Sequence, residues 1–323
     1  MSDQGNYIGL ELRETLMKSA LTDARGEILE IEQRETPRDE MVAFQEAAAA
    51  TVVNLQSKAV ARGGQVSAVG VGVPGVVDPN TGRVSKSLTL PLLEESDLRP
   101  YLSAISQLPV IMDQTANVAA YGEFICGAAK GLQNVMYVDL GPDIGSGIIL
   151  GGNLHRGPLG TAGEFGHMTV NPDGWECACG NTGCLDTIAS ETNLVRRTKD
   201  RLFHDRSSSL SSLALPGRGE LTPQRIAMEA LNGDDFALMM LERTGTWLGI
   251  ALANVINLLN LDMVILAGSV MVAGDLLLHP VVQEVQDRAL KAPAHHCRIV
   301  TSLLGGQAGL IGAAMLARDA AQG

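Results

Sequence analysis

The sequence predicts an α/β protein with two lobes around a central cleft, and three observations carry that expectation. At 323 residues the chain is longer than one hydrophobic core usually supports. β-branched, glycine-punctuated stretches alternate with stretches of helix-forming composition. The strand, glycine turn and strand that open the chain also recur after a helical stretch, a weak sign of internal duplication that places a ligand site in the cleft between two similar lobes. A composition that is 46% hydrophobic and 19% charged, with 36 glycines, fits a folded globular chain.

In chain order, YIGLEL (7–12) reads as a strand. KSALTDARGEILEIEQRET (18–36) reads as a hairpin turning at ARG, whose glycine signals the turn. DEMVAFQEAAAATVVNLQSKAVARGG (39–64) is one helix closed by paired glycines. VSAVGVGVPGVV (66–77) is β-branched, and VIMDQTANVAAYGEFICGAAKG (110–131) passes from a strand into a helix. NVMYVDLGPDIGSGIILGGNLHRG (134–157) starts a second hairpin set with glycine in its turns. SSSLSSLALPGRGELT (207–222) is a polar surface excursion. GTWLGIALANVINLLNLDMVILAG (245–268) runs from an apolar helix into a buried strand, and GGQAGLIGAAMLARDA (305–320) is a closing small-residue helix. The expected lobes are 1–118 with the closing helix 305–323, and 119–304.

A formal net charge of −12 and a pI near 4.9, without any basic run, disfavour direct nucleic-acid binding. No apolar run reaches the length of a membrane span, and the N-terminus lacks signal-peptide features, so a cytoplasmic location is expected. The five cysteines are odd in number and clustered, which points to metal chemistry rather than disulfides.

That cluster is EFGHMTVNPDGWECACGNTGCLD (164–186). His167, Cys177, Cys179 and Cys184 are spaced H-x9-C-x-C-x4-C, with Gly174, Gly180 and Gly183 letting the backbone fold around a centre. Four such ligands suit a closed, tetrahedral structural zinc site. Cys126 and Cys297 lie in apolar contexts and read as core thiols, and the other five histidines receive no role.

TAGEFGHMTVNP followed by CACGNTGCLD resembles the hallmark of the ROK family of repressors, open reading frames and sugar kinases. VGVGVPGVVDPNTGRV (69–84), YGEFICGAAKGLQNVMYVDLG (121–141), GIILGGNLHRGPLGTAGE (147–164) and AGLIGAAMLA (308–317) resemble further family segments in family order. The resemblance implies the actin-like ATPase (ribonuclease H-like) fold, a zinc loop supporting the sugar side, and a homodimer or other homo-oligomer. It also implies sugar-binding roles for Thr89, Gln114, Thr115, Glu164, His167 and Asp186. Buttressing of the metal loop is an equal reading for Glu164 and Asp186.

The chain departs from the family's kinases at three places. Their D-x-G-G-T phosphate turn here reads Glu11-Leu12-Arg13-Glu14-Thr15, which removes two glycines and adds a carboxylate. The second phosphate loop, usually LGTGIGGGI, reads LGPDIGSGI. It keeps Gly141 and Gly145 but places Pro142 without an amide donor and Asp143 with a negative charge. The general base of the E-N-D-A-N stretch falls on Thr115, which cannot accept a proton near neutrality, with Asp113 as the possible substitute. On these grounds ATP and Mg2+ binding is not expected, and no catalytic residue is assigned.

The leading expectation is a non-catalytic, sugar-binding regulatory module, close in character to the effector-binding body of ROK repressors. Only six residues precede the first strand, so no winged helix-turn-helix is expected and any DNA reader would be a protein partner. An ATP-dependent hexose or amino-sugar kinase is the second reading, and a partner-binding pseudokinase without a small ligand the third.

Overall fold

The computed structural model describes residues 5–78, 80–203, 207–214, 217 and 219–322; His204 and part of the expected excursion 207–222 lie outside the described residues. The chain opens with β1 (Asn6–Leu12), β2 (Leu16–Thr22) and β3 (Ile28–Glu35), then α1 (Met41–Ala61), β4 (Val66–Val73), β5 (Val76–Val77) and β6 (Val84–Lys86). Next come α2 (Leu98–Ser106), β7 (Val110–Gln114), α3 (Thr115–Ile125), β8 (Val135–Leu140), β9 (Ile144–Leu150) and β10 (Asn153–Leu154). The remainder is α4 (Asp186–Ala189), α5 (Glu191–Leu202), α6 (Pro223–Leu231), α7 (Asp235–Leu259), β11 (Met263–Ala267), α8 (Asp275–Arg288), α9 (Lys291–His296), β12 (Arg298–Thr301) and α10 (Ala308–Gln322). Residues 1–137, 147–163 and 302–323 form one compact unit, and 138–146 with 164–301 a second.

In the first unit a five-stranded sheet runs β3-β2-β1-β4-β7. Its β1–β2 and β2–β3 pairs are antiparallel; β1–β4 and β4–β7 are parallel. The two-residue period of the strands sorts the side chains by face. Ile8, Leu10, Leu12, Val69, Val71 and Val73 join Phe44, Val52, Leu55, Leu98 and Leu102 in a core under α1 and α2. Tyr7 and Ala68 point the other way, to a second core with Ile311, Ala314 and Met315 of α10.

Glycine decides how α10 sits. Gly9 and Gly70 are register partners on β1 and β4, and a Cβ on either would run into the Leu310 or Ala313 carbonyl oxygen. On the helix's other flank, a Cβ at Gly312 would strike the Val118 carbonyl of α3, and one at Gly122 the Ala308 carbonyl. Backbone therefore meets backbone on two sides of α10, which no larger residue permits.

A second sheet has the order β10-β9-β8-β11-β12. In the second unit α7 packs on α8 with the same device, since Gly245 faces Pro280 and Gly249 faces Val281. α7 begins ten residues before the apolar run expected from sequence, because Asp234 caps it by accepting the Ala237 N–H at 3.0 Å. Ser190 caps α5 in the same way. Among the described residues, no helix is long and apolar enough to cross a membrane.

Gly312→Ala is expected to destabilise the protein by about 1–3 kcal/mol, the usual penalty for overpacking. Gly306→Ala, with nothing among the described residues within 4 Å of its would-be Cβ, should stay within about 0.5 kcal/mol. Urea denaturation of both variants checks this, and equal midpoints would contradict the packing argument.

Candidate functional site

The metal-loop residues His167, Cys177, Cys179 and Cys184 come together in the second unit, with one ligand atom from each lying within 4.8 Å of the others. Cys177 Sγ lies 3.6 Å from His167 Nδ1, and Cys179 Sγ lies 3.7 Å from Cys184 Sγ. Zinc bonds of about 2.0–2.3 Å in a tetrahedron put neighbouring ligand atoms about 3.3–3.8 Å apart, and both of these distances fall in that range. Burial, reinforced by the neighbouring thiols, pushes Cys184 up to about 12, and burial raises Cys177 as well. The Asn181 backbone N–H pulls Cys179 down. A divalent cation would reverse the first two by favouring the thiolates. The loop is clamped to α5 by Trp175, which lies 4.3 Å under the Arg196 guanidinium.

The first phosphate turn, Arg13-Glu14-Thr15, joins β1 to β2 and is exposed. None of the three has a positive φ, so losing the glycines costs no backbone strain. Arg13 donates from Nε (3.0 Å) and Nη2 (2.7 Å) to Oε1 of the buried Glu11, whose Oε2 has no partner among the described residues. Glu14 pairs with Arg38 at 3.0 Å. Thr36 braces the turn, its hydroxyl donating to the Arg13 carbonyl and its N–H to that of Thr15. Two carboxylates thus face two guanidiniums, and the turn is not the net-negative surface that Glu11 and Glu14 suggest in sequence.

The second phosphate loop, Gly141-Pro142-Asp143, joins β8 to β9 in the second unit, with Pro142 and Asp143 exposed and Gly145 within β9. The Glu191 N–H donates to the Gly141 carbonyl at 2.8 Å. The Ser269 hydroxyl donates to Glu191 and, at 3.5 Å, to the Leu140 carbonyl. Gly268 (φ 94°) lets the backbone after β11 approach Leu140, where a Cβ would collide.

The candidates from the sugar side divide between the units. In the first, Thr89 lines a cavity of about 500 Å³ with Thr36, Arg38 and Leu92. Gln114 donates from Nε2 to the Gly160 carbonyl at 2.7 Å. β7 ends at Gln114 and Thr115 opens α3, so the strand period does not carry from Asp113 to Thr115. Thr115 Oγ1 is buried without a partner among the described residues. Asp113 Oδ1 accepts the Gln114 N–H and the Asn117 side-chain amide, both at 2.8 Å, and Oδ2 accepts Arg156 Nε at 2.6 Å.

In the second unit, Glu164 is exposed and its Oε2 lies 3.9 Å from His167 Nε2. Asp186 is buried, and its Oδ1 accepts the Ile144 N–H at 2.8 Å. Burial foremost, with Asp143 adding to it, raises the Asp186 carboxyl, and the Ile144 amide opposes the shift. Sequence reasoning missed Arg156, Glu191 and Ser269, because no spacing signal links them to partners dozens of residues away.

The ROK family model matches residues 7–320. The glucokinase of Halalkalibacterium halodurans is 33% identical, over 99% of this chain and 96% of its own. A ROK family glucokinase from Streptomyces griseus, solved with glucose and AMPPNP, superposes with a TM-score of 0.83 at 32% identity, covering 98% of this chain and 100% of that one. A ROK family transcriptional regulator, a homolog of the E. coli MLC protein, gives a TM-score of 0.89 at 24% identity over 98% of this chain and 78% of that one, a likeness of fold.

Full-length similarity to glucokinases overturns the expectation of a non-catalytic regulatory module, and the pseudokinase reading with it. The expectation that ATP is not bound gives way likewise, since a relative similar over the whole chain holds AMPPNP. The physical reason is that the sequence shows glycines lost and carboxylates gained, while the fold pairs those carboxylates with Arg13 and Arg38 in an unstrained turn. Phosphoryl transfer also passes through a loose transition state governed mainly by positioning and charge, so a missing base slows the step rather than forbidding it. The α/β architecture is that of the ROK kinases, which have the actin-like ATPase fold. Motif, metal-loop geometry and a match running almost from end to end agree that the chain belongs to the ROK family.

Proposed function

We propose that the protein transfers the terminal phosphoryl group of ATP to a hydroxyl of glucose or a closely similar hexose. The observation that carries this reading is whole-length similarity at 33% and 32% identity to two glucokinases, one of them solved with glucose and a nucleotide analogue. In the reaction the sugar oxygen bonds to the γ-phosphorus, the bond to the β–γ bridging oxygen breaks, and ADP leaves while the hydroxyl proton is released. Glu164 accepts hydrogen bonds from sugar hydroxyls. His167 turns Nδ1 to the metal centre, 3.6 Å from Cys177 Sγ, and keeps Nε2 for the sugar. Arg13 supplies guanidinium donors where other family members offer glycine amides. Asp113, with both oxygens engaged, fixes the start of α3. Thr115 orients the attacking hydroxyl without taking its proton, so turnover is slow.

A coupled ADP-release assay with glucose and Mg-ATP tests the proposal. Wild type should show glucose-dependent release, and Thr115→Asp should raise kcat by about 10²-fold or more, the usual contribution of a general base. Glucose that binds by calorimetry, with no glucose-dependent ADP release from either protein, would refute it.

His167, Cys177, Cys179 and Cys184 hold one structural zinc ion, which supplies a rigid cross-link and no open coordination position. Elemental analysis should find one zinc per chain. Cys179→Ser should lower both metal content and melting temperature, since metal binding is linked to folding. Metal-free protein with unchanged melting would contradict this.

A further inference from the structure

We propose that Arg197, Arg201 and Arg243, flanked by Arg196, form a binding site for a dianionic phosphate group between α5 and α7. The site lies wholly within the second unit and uses no residue assigned above to the sugar or to either phosphate loop.

A chain of formal net charge −12 has carboxylates to spare for its guanidiniums. Arg225 and Arg288 of the same unit are paired in this way, with Glu229 and Glu284. Arg196, Arg197, Arg201 and Arg243 are not, for none of the four forms an ion pair among the described residues. Asp200 and Glu242, the chain neighbours of Arg201 and Arg243, are exposed and form none either.

Arg197 is the centre of the group. It is partly buried, donating from Nη1 to the Ile188 carbonyl of α4 at 2.7 Å and to the Thr244 hydroxyl of α7 at 3.2 Å. That hydroxyl donates onward to the Met240 carbonyl, so Arg197 meets neutral acceptors only. Arg201 follows one turn later on the same face of α5, and Arg243 precedes Thr244 on α7; both are exposed. Burial foremost, then repulsion from Arg201, Arg243 and Arg196, pulls the Arg197 guanidinium down to about 10, so at neutral pH it stays charged beside like charges. Arg196 borders the group: its guanidinium lies 4.3 Å over the Trp175 ring, and its buried Nε has no partner among the described residues.

A partly buried cation beside three others is held against desolvation and repulsion together, and a bound anion relieves both. The donors select its chemistry. Planar guanidiniums match the oxygens of phosphate two at a time. A phosphate monoester carries a charge of about −1.5 to −2 at neutral pH, so it offsets the repulsion more fully than a carboxylate does.

Calorimetry at fixed ionic strength tests the site, with inorganic phosphate and glucose 6-phosphate titrated separately into wild type, Arg201→Gln/Arg243→Gln and Arg197→Lys. The two exposed arginines make no ion pair, so the double variant should keep the wild-type melting temperature in chloride. Affinity should fall about tenfold or more in the double variant, the scale of one charge-assisted hydrogen bond. Arg197→Lys should weaken binding too, because lysine keeps the charge but loses the fork. Tighter binding of glucose 6-phosphate than of phosphate assigns the site to a sugar phosphate, and equal affinities assign it to the free ion. Binding undiminished in the double variant, or no binding of either anion at millimolar concentration, would overturn the proposal. No step depends on turnover, so failure of the kinase reading leaves this test intact, and phosphate held elsewhere is recognised by its indifference to both variants.

Discussion

The first unit depends on the contact between α10 and the glycine pair Gly9–Gly70. Backbone of the last helix lies directly on backbone of β1 and β4, and its opposite flank lies on α3 through Gly312 and Gly122. Three elements distant in sequence are thereby locked at separations that only glycine allows. The same packing reaches the chemistry, because Gly309 leaves room for the Glu11 carboxylate and α3 starts with Thr115. A residue change in the closing helix would thus be felt at Glu11 and along α3 together.

The turn at Arg13–Thr15, which stands where the family's kinases carry a phosphate turn, shows why counting lost motif residues overstates a defect. Glycines in such turns serve either because φ must be positive or because a ligand must approach the backbone. The first reason does not apply to Arg13, Glu14 or Thr15, none of which has a positive φ. As for charge, Glu14 meets Arg38 and Glu11 meets Arg13. Only the close-approach role is lost.

In the second unit the metal loop is a frame rather than an isolated knot. Trp175 and Arg196 join it to α5, Gly166 and Asp186 join it to Ile144, and Glu191 and Ser269 hold the neighbouring backbone of Gly141 and Leu140. Packing, a cation–π contact and hydrogen bonds thus join the metal-candidate loop and α5 to a loop some forty residues earlier in the chain.

The sequence by itself determined the α/β class, the strand-to-helix passage at 110–125, the second hairpin and the closing helix. Each is written locally, in β-branched runs, helix-forming stretches and glycine turns. The four metal-ligand candidates were legible for the same reason, since chemistry and spacing lie within one short loop. What only the tertiary structure decided were the partners of charges. Arg156 beside Asp113, Arg38 beside Glu14 and the Ile144 amide beside Asp186 are pairs separated by 43, 24 and 42 residues. No periodicity encodes such pairs, because they arise where separate strands and helices converge, and the electrostatic character of a loop is fixed by those neighbours as much as by its own residues.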